Sequence, residues 1–198
     1  MQVASRTAGL AVDRWRRSLT PGSRMSEAAL VRAAQRGSEA AVEELFARHW
    51  SSAYRAAFLI TGDRAGAEDI AQEAFLAALR ALPSFDVRRP LRPWLHRIAV
   101  NRAIDWSRAR ALRKEVGVEA VAQTPAAVGA GSPAPGDDAV VALRGLSPEQ
   151  RAVVVLRYLL EFTPGEIGAM LDLPRGTVNS RLRRGLDALG DVMGSEQP

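Results

Sequence analysis

Apolar and polar positions alternate at helical spacing from Glu27 to Leu82, and small polar residues interrupt the pattern at Gly37-Ser38 and Thr61-Gly62-Asp63. Glycine ends a helix without steric strain, and serine or aspartate can cap the next one, so this stretch predicts three helices, with Pro83 as a stop. A fourth, long helix is predicted from Leu91 to Lys114. Leu91, Trp94, Leu95, Ile98 and Ala99 form its packing stripe. The periodicity then stops. Val116 to Gly136 is dominated by Ala, Gly, Val and Pro, lacks aromatics and holds three prolines, a composition that reads as a flexible linker. Helical patterning resumes at Ser147-Pro148-Glu149-Gln150, where serine is the cap and proline occupies the first helical position. No stretch alternates with the two-residue period of a strand. The expected fold is all-α, with two small helical domains at 25–114 and 146–192 joined by a linker at 115–145. Residues 1–24 read as a poorly patterned extension and 193–198 as a tail, with the start codon open between Met1 and Met25.

The second domain carries a recognisable arrangement. From Phe162 to Leu182 two short helical segments flank a turn: Ile167, Met170 and Leu171 line the first, Leu173 plugs the corner, and Val178, Leu182, Leu186 and Leu189 are the expected buried stripe of the second. At about 100° per residue, Thr177, Ser180, Arg181 and Arg184 fall opposite that stripe, a mixture suited to phosphates and base edges in a major groove. Arg175, Arg181, Arg183 and Arg184 meet no acid before Asp187, so a helix-turn-helix that enters DNA explains the segment better than a solvated helical hairpin.

Charge and composition sharpen this reading. The 198 residues carry a formal charge of +5, unevenly placed: residues 85–114 hold nine Arg and Lys against two acids, whereas 26–82 hold six against eight. Almost every base is arginine, Lys114 being the one lysine, and the guanidinium fork suits phosphate and guanine. With 47% apolar residues the chain can bury a core. It has no apolar run long enough to span a bilayer and no secretory leader pattern, so the expected location is the cytoplasm, without membrane insertion. The absence of cysteine excludes disulfides and cysteine-based zinc sites.

Two more faces stand out in the first domain. Arg97, Asn101, Ile104 and Arg108 share one flank of the fourth helix, where arginines can hold phosphates and the amide can read a base edge in unpaired DNA. Phe85, in the loop with Arg88, and Trp106 are candidates to stack on an unpaired base, with core packing as the alternative for each; Trp94 belongs to the core. On the third helix Ile70, Ala71, Ala74, Phe75 and Ala78 face inward, leaving Asp69, Gln72, Glu73 and Leu76 as an outer stripe. Acids repel DNA, and a leucine among them is the pattern of an interface anchor with a polar rim, so this stripe points to a protein partner.

Three motifs occur in order: Asp69-Ile-Ala-Gln72-Glu73-Ala-Phe75-Leu76; Phe85 through Trp94 to Asn101, with Asp105 and Arg108; and Glu166-Ile167 followed by Gly176 to Leu182. On these motifs, over about residues 26–190, the chain resembles the extracytoplasmic-function (ECF) sigma factors, small bacterial initiation factors built from sigma domains two and four. The resemblance implies that Asp69, Gln72, Glu73, Leu76 and the surrounding helix dock on the clamp helices of the polymerase beta-prime subunit, with the beta subunit as a further partner. It implies that Phe85, Arg88, Arg97, Asn101 and Arg108 serve the minus-ten element, where a non-template base is captured, and that Arg175, Thr177, Asn179, Ser180, Arg181 and Arg184 serve the minus-thirty-five element. An anti-sigma protein is the expected regulator, and the linker is expected to run near the RNA exit path. Three positions depart from the family pattern: Gly168 stands where alanine is frequent, Asp172 where the turn often has glycine, and Pro164 where a serine-aromatic pair is usual.

A free-standing helix-turn-helix regulator is the competing reading and predicts tight duplex binding by the protein alone, with residues 26–114 as a dimerisation or sensing module. An enzyme has little to start from. His49 reads as a surface or packing residue, His96 is expected between the arginine flank and solvent, and neither lies in a metal-ligand spacing or near a nucleophile motif. No catalytic residue, metal, cofactor or small-molecule substrate is expected.

Overall fold

The computed structural model describes residues 25–115 and 137–194; the expected extension, most of the linker and the last four residues lie outside them. Eight helices follow one another in the described residues: α1 Glu27–Gln35, α2 Glu39–Thr61, α3 Arg64–Ala81, α4 Leu91–Glu115, α5 Asp137–Leu143, α6 Pro148–Val154, α7 Pro164–Leu171 and α8 Arg175–Gly194. No strand occurs among them. The predicted breaks have the expected chemistry. Ser26, Ser38, Asp63, Ser147 and Thr163 each accept a first-turn backbone N–H, at Ser147 and Thr163 as full capping boxes with Gln150 and Glu166. Gly62 ends α2 in the left-handed region at φ 67°. α3 stops at Ala81, before a 3-10 turn at Leu82–Ser84 that contains Pro83.

Helices α2, α3 and α4 pack on one another through alanines. Ala53, Ala71, Ala74 and Ala99 are fully buried around Trp50, Phe75 and Leu95, and the short side chains let the helix backbones approach closely. α1 closes the far end through Leu30, Val31, Ala41, Leu45 and Leu91. The C-terminal helices do not stand apart. Ala56, Ile60, Val100 and Ile104 of α2 and α4 share one continuous core with Val140, Leu143, Val153, Leu156, Phe162, Ile167, Val178 and Leu182.

Four placements differ from the sequence expectation. Residues 137–143, expected within the linker, form α5, whose Val140 and Leu143 enter the shared core. Ile104, expected on the open flank of α4, is buried because the C-terminal half covers it. Leu186 is 43% exposed. Its expected place in the stripe of α8 falls to buried Gly185, where an added Cβ would stand 3.0 Å from Val154 Cγ2. His96 is 0% exposed, where a position between the flank and solvent was expected.

Candidate polymerase and nucleic-acid interfaces

α3 presents its outer stripe as the spacing requires. Asp69 and Glu73 are exposed, Gln72 is half-buried, and Leu76 is 51% exposed, with Leu79 one turn further on also exposed. Glu73 lies 3.7 Å from Arg102 of α4. Leu79 also borders an apolar groove between helices with Val42, Phe46 and Trp94.

The loop before α4 is held from within. Asp86 accepts from the Arg88 side chain and backbone, and these bonds hold its carboxyl down at about 2. Phe85, a candidate for stacking on an unpaired base with core packing as the alternative, is buried against Trp94, with ring centroids 4.6 Å apart, among Leu30, Leu82 and Leu91. Gln35 Nε2 donates to the carbonyls of Leu82 and Phe85, which pins the loop to α1. Phe85 therefore shapes the loop from beneath, and its ring is unavailable for stacking. Trp106, the other stacking candidate, is half-buried: its ring lies so close to Gly66 that a Cβ there would sit 2.7 Å from Cζ2, and the Arg110 guanidinium lies 5.0 Å from its centroid.

On the flank of α4 the arginines are engaged. Arg97 Nη2 donates to Asp172 Oδ2 at 2.5 Å, Arg108 Nε donates to Glu149 Oε1 at 2.6 Å, and Arg92 Nη2 donates to the Leu160 carbonyl at 2.7 Å while its guanidinium lies 4.9 Å from the Phe162 ring centroid. Each partner comes from a different C-terminal element. Burial would raise the Glu149 carboxyl, but its own backbone amide and Arg108 outweigh that effect and hold it below its ordinary value. Asn101 is half-buried and makes no side-chain hydrogen bond among the described residues. Under this flank, His96 donates from Nδ1 to the Arg92 carbonyl at 2.8 Å, which leaves Nε2 without a partner, and its ring meets Phe162 edge-on at 5.8 Å. Burial pushes its pKa down to about 4, so the imidazole is neutral. His49 is also buried, with Nε2 2.7 Å from Glu27 Oε1, in keeping with the packing role expected of it.

α7 and α8 meet at the predicted corner. Asp172 caps α7 in the left-handed region at φ 53°, a conformation aspartate tolerates better than most residues, so the turn forms without the glycine frequent in the family. Gly168 completes it: the Leu173 N–H donates to the Gly168 carbonyl at 2.9 Å, and a Cβ on Gly168 would stand 2.7 Å from the Leu173 carbonyl oxygen. Pro164 is the first residue of α7, following the cap Thr163. Ile167, Met170 and Val178 are buried, while Arg175, Asn179 and Arg184 are exposed and Thr177, Ser180 and Arg181 half-buried on the outward side of α8. Ser180 Oγ donates to the Thr177 carbonyl. Among the described residues no carboxylate pairs with Arg175, Arg181, Arg183 or Arg184.

A helix-turn-helix with an open basic face, preceded by a three-helix unit with an acidic stripe, matches two family models, Sigma-70 region 2 over residues 45–113 and Sigma-70, region 4 over residues 142–190. The chain is 34% identical to the ECF RNA polymerase sigma factor SigW of Bacillus subtilis, over 80% of this chain and 92% of that one. The chain belongs to the ECF sigma factors. It is also 34% identical to SigL of Mycobacterium tuberculosis, over 85% of this chain and 91% of the relative. In structure it is similar to CnrH in complex with the cytosolic domain of CnrY, with a TM-score of 0.66, 27% identity and coverage of 86% of this chain and 99% of that one. The fold also matches RpoE of Bartonella quintana, in complex with the anti-sigma factor NepR, with a TM-score of 0.61, 24% identity and coverage of 78% and 98%. This ECF sigma factor is a transcription initiation factor, not an enzyme, and its two sigma regions are polymerase- and promoter-binding regions.

Sequence reasoning did not find Asp172, Glu149, Arg92 and Phe162 as partners of one surface. The one signal available was the departure at Asp172, since an acid in place of a turn glycine adds a carboxylate that has to be accommodated.

Proposed function

We propose that α3 docks on the clamp helices of the polymerase beta-prime subunit through Asp69, Gln72, Glu73 and Leu76, and that the beta subunit takes a further contact. Arg88, Arg97, Asn101 and Arg108 hold the melted minus-ten strand, with the arginines on phosphates and the amide on a flipped base. Arg175, Thr177, Asn179, Ser180, Arg181 and Arg184 address the minus-thirty-five duplex. Mechanistically no covalent step is involved: capturing an unpaired base offsets the few kcal/mol of unstacking once polymerase has brought the promoter into place.

The observation that supports this division best is the separation of charge by face. An acidic stripe with an exposed leucine covers the outer side of α3, while bases line α4 and α8. A free-standing regulator would have to use this stripe for dimerisation or sensing, whereas a factor that docks on polymerase needs an acidic face with an apolar anchor such as Leu76. The complex of CnrH with the cytosolic domain of CnrY supports a protein regulator, here expected to be an anti-sigma protein, and the cytoplasm is the expected working compartment.

The test is transcription in vitro with bacterial core polymerase on a fragmented genomic template, with and without the protein. Position-specific new starts are expected, and they should disappear when Leu76→Asp is used. DNA binding without new starts would overturn the reading in favour of the free-standing regulator.

A further inference from the structure

We propose that the apolar groove between α2, α3 and α4 is the docking site of the chain's own N-terminal segment, with Trp15 as the anchor and Arg14, Arg16 and Arg17 turned toward the acids of α2.

Val42, Leu45, Phe46 and His49 of α2 line the groove on one side, with Leu79 and Trp94 across from them. Phe46 stacks on Trp50 with ring centroids 4.9 Å apart and lies 4.2 Å from the Phe75 centroid, so one wall is a fixed aromatic surface. Leu79 is 37% exposed, which leaves part of the apolar lining in water among the described residues. A helical peptide fills a groove of this kind with apolar side chains spaced three, four and seven positions apart. Within the otherwise poorly patterned extension, Ala8, Val12, Trp15 and Leu19 have that spacing, and arginines surround the tryptophan at 14, 16 and 17. Tryptophan and arginine are the side chains that most often anchor an interface.

Three features select this occupant. The first is the point of entry: Arg48 Nη1 donates to the Met25 carbonyl at 3.1 Å, and Glu27 Oε1 lies 2.7 Å from Nε2 of His49, itself part of the groove wall. The segment therefore joins the fold beside the groove. The second is reach. Trp15 stands ten residues before Met25, a stretch that spans at most about 35 Å, and Thr20-Pro21-Gly22-Ser23 within it is turn-forming sequence that lets the chain double back. The third is charge. Residues 1–24 hold five arginines against one acid, Asp13. Glu39 and Glu43 are exposed next to Val42 on α2 and have no ion-pair partner among the described residues, whereas Arg80 is exposed next to Leu79 on α3. The arginines are drawn to the α2 side and repelled from the other, which sets the orientation of the segment.

The test replaces Trp15 of the full chain with the photoreactive aromatic p-benzoylphenylalanine. Irradiation is expected to join position 15 to segments 42–49, 75–82 or 91–95, as read by mass spectrometry of the digested product. In an equal mixture of light and nitrogen-15-labelled chains, each product should be wholly light or wholly heavy. Leu79→Arg, at the exposed rim, should lower the yield roughly fivefold, and Val42→Arg should repeat the loss from the α2 side. Leu112→Arg, exposed near the end of α4, should leave the yield unchanged. Circular dichroism matching the parent confirms that each variant is folded. Products scattered over the surface, or a yield that Leu79→Arg and Val42→Arg leave intact, would overturn the docking. So would an equal loss in Leu112→Arg, or products of mixed isotope, which would make a second copy of the chain the occupant.

Discussion

The two arginine surfaces of this sigma factor differ in what they face. On α8 the bases project outward with no carboxylate partner among the described residues, whereas on α4 Arg97 and Arg108 lie under Asp172 and Glu149. Composition alone does not distinguish them, since both are arginine-rich flanks opposite an apolar stripe. The difference arises from tertiary structure: α8 packs one side against α6 and leaves the other open, whereas α4 is sandwiched, with α2 and α3 on one side and the C-terminal helices on the other. A basic residue can meet DNA only where the fold leaves it accessible, so two flanks of the same composition are not equivalent in the free chain.

The largest expected effect comes from unseating one surface alone. Gly185 faces α6 without room for a side chain, and Gly185→Leu would force side-chain atoms into Val154 and Leu146. Overpacking of this kind is expected to destabilise the protein by about 3 kcal/mol, read from the denaturant midpoint, and to abolish duplex binding through α8. A midpoint within error of the parent would mean that α8 is not seated against α6 as described.

His96 sharpens the comparison from beneath the covered surface. Its folded pKa of about 4 lies below its ordinary value of 6.5, so between these values the unfolded chain binds the extra proton. The stability it contributes is complete above about pH 6.5 and is lost as pH falls toward 4. Between about pH 7 and pH 5 the parent should lose about 2 kcal/mol through this group, and His96→Leu should remove most of that dependence. An identical pH profile for the variant would show that His96 is not buried at the closed interface.

These two positions also indicate how far the sequence could be read. Helix starts were legible where caps and periodicity coincide, as at Ser38, Asp63 and Ser147, because both signals are local. The outer face of α3 was legible for the same reason: the packing of one side left only one arrangement for the other. His96 and Ile104 were misplaced, and Phe85 was left between stacking and core packing, because their surroundings are non-local. Phe162 reaches His96 from sixty-six positions further along, and Gln35 fixes the loop of Phe85 from fifty positions before it. Helix α5 was lost because seven residues offer too little periodicity to be separated from the linker before them. The stripe on α8 slipped by one residue because glycine carries no hydrophobic signal, although its lack of a side chain is what lets α6 approach.

A smaller effect compares the arginines directly. Arg184→Ala should weaken binding of the free protein to a promoter duplex roughly fivefold and lower the slope of log affinity against log salt by about one, as expected for one lost phosphate contact. Arg97→Ala should leave that binding unchanged, because its guanidinium is turned toward Asp172. In complete initiation reactions the order should reverse for melting: Asn101→Ala and Arg97→Ala should slow open-complex formation, while Arg184→Ala should act through upstream affinity. Equal loss of free duplex binding by the Arg97 and Arg184 variants would remove the distinction between the surfaces.

The smallest effect tests the residue that joins the two surfaces. Asp172 is both the left-handed cap between α7 and α8 and the partner of Arg97. Asp172→Gly relieves a backbone conformation that costs a side chain up to about 1 kcal/mol but gives the unfolded chain more freedom, and it removes an ion pair worth a few tenths to about 1 kcal/mol. Because the pair lies at the protein surface, with Asp172 side-chain exposure at 76%, these terms are similar in size and opposite in sign, so stability should change by less than about 0.5 kcal/mol. Glu161, left-handed at φ 59° and exposed, gives an upper bound for the backbone term, since glutamate tolerates this region less well than aspartate: Glu161→Gly should be stabilising by up to about 1 kcal/mol, with no effect on DNA. A gain at Glu161 with a near-neutral Asp172→Gly would leave the difference to the Arg97 pair together with the better tolerance of aspartate for the left-handed region. A gain of the same size at both positions would show that the Arg97 pair contributes nothing to stability.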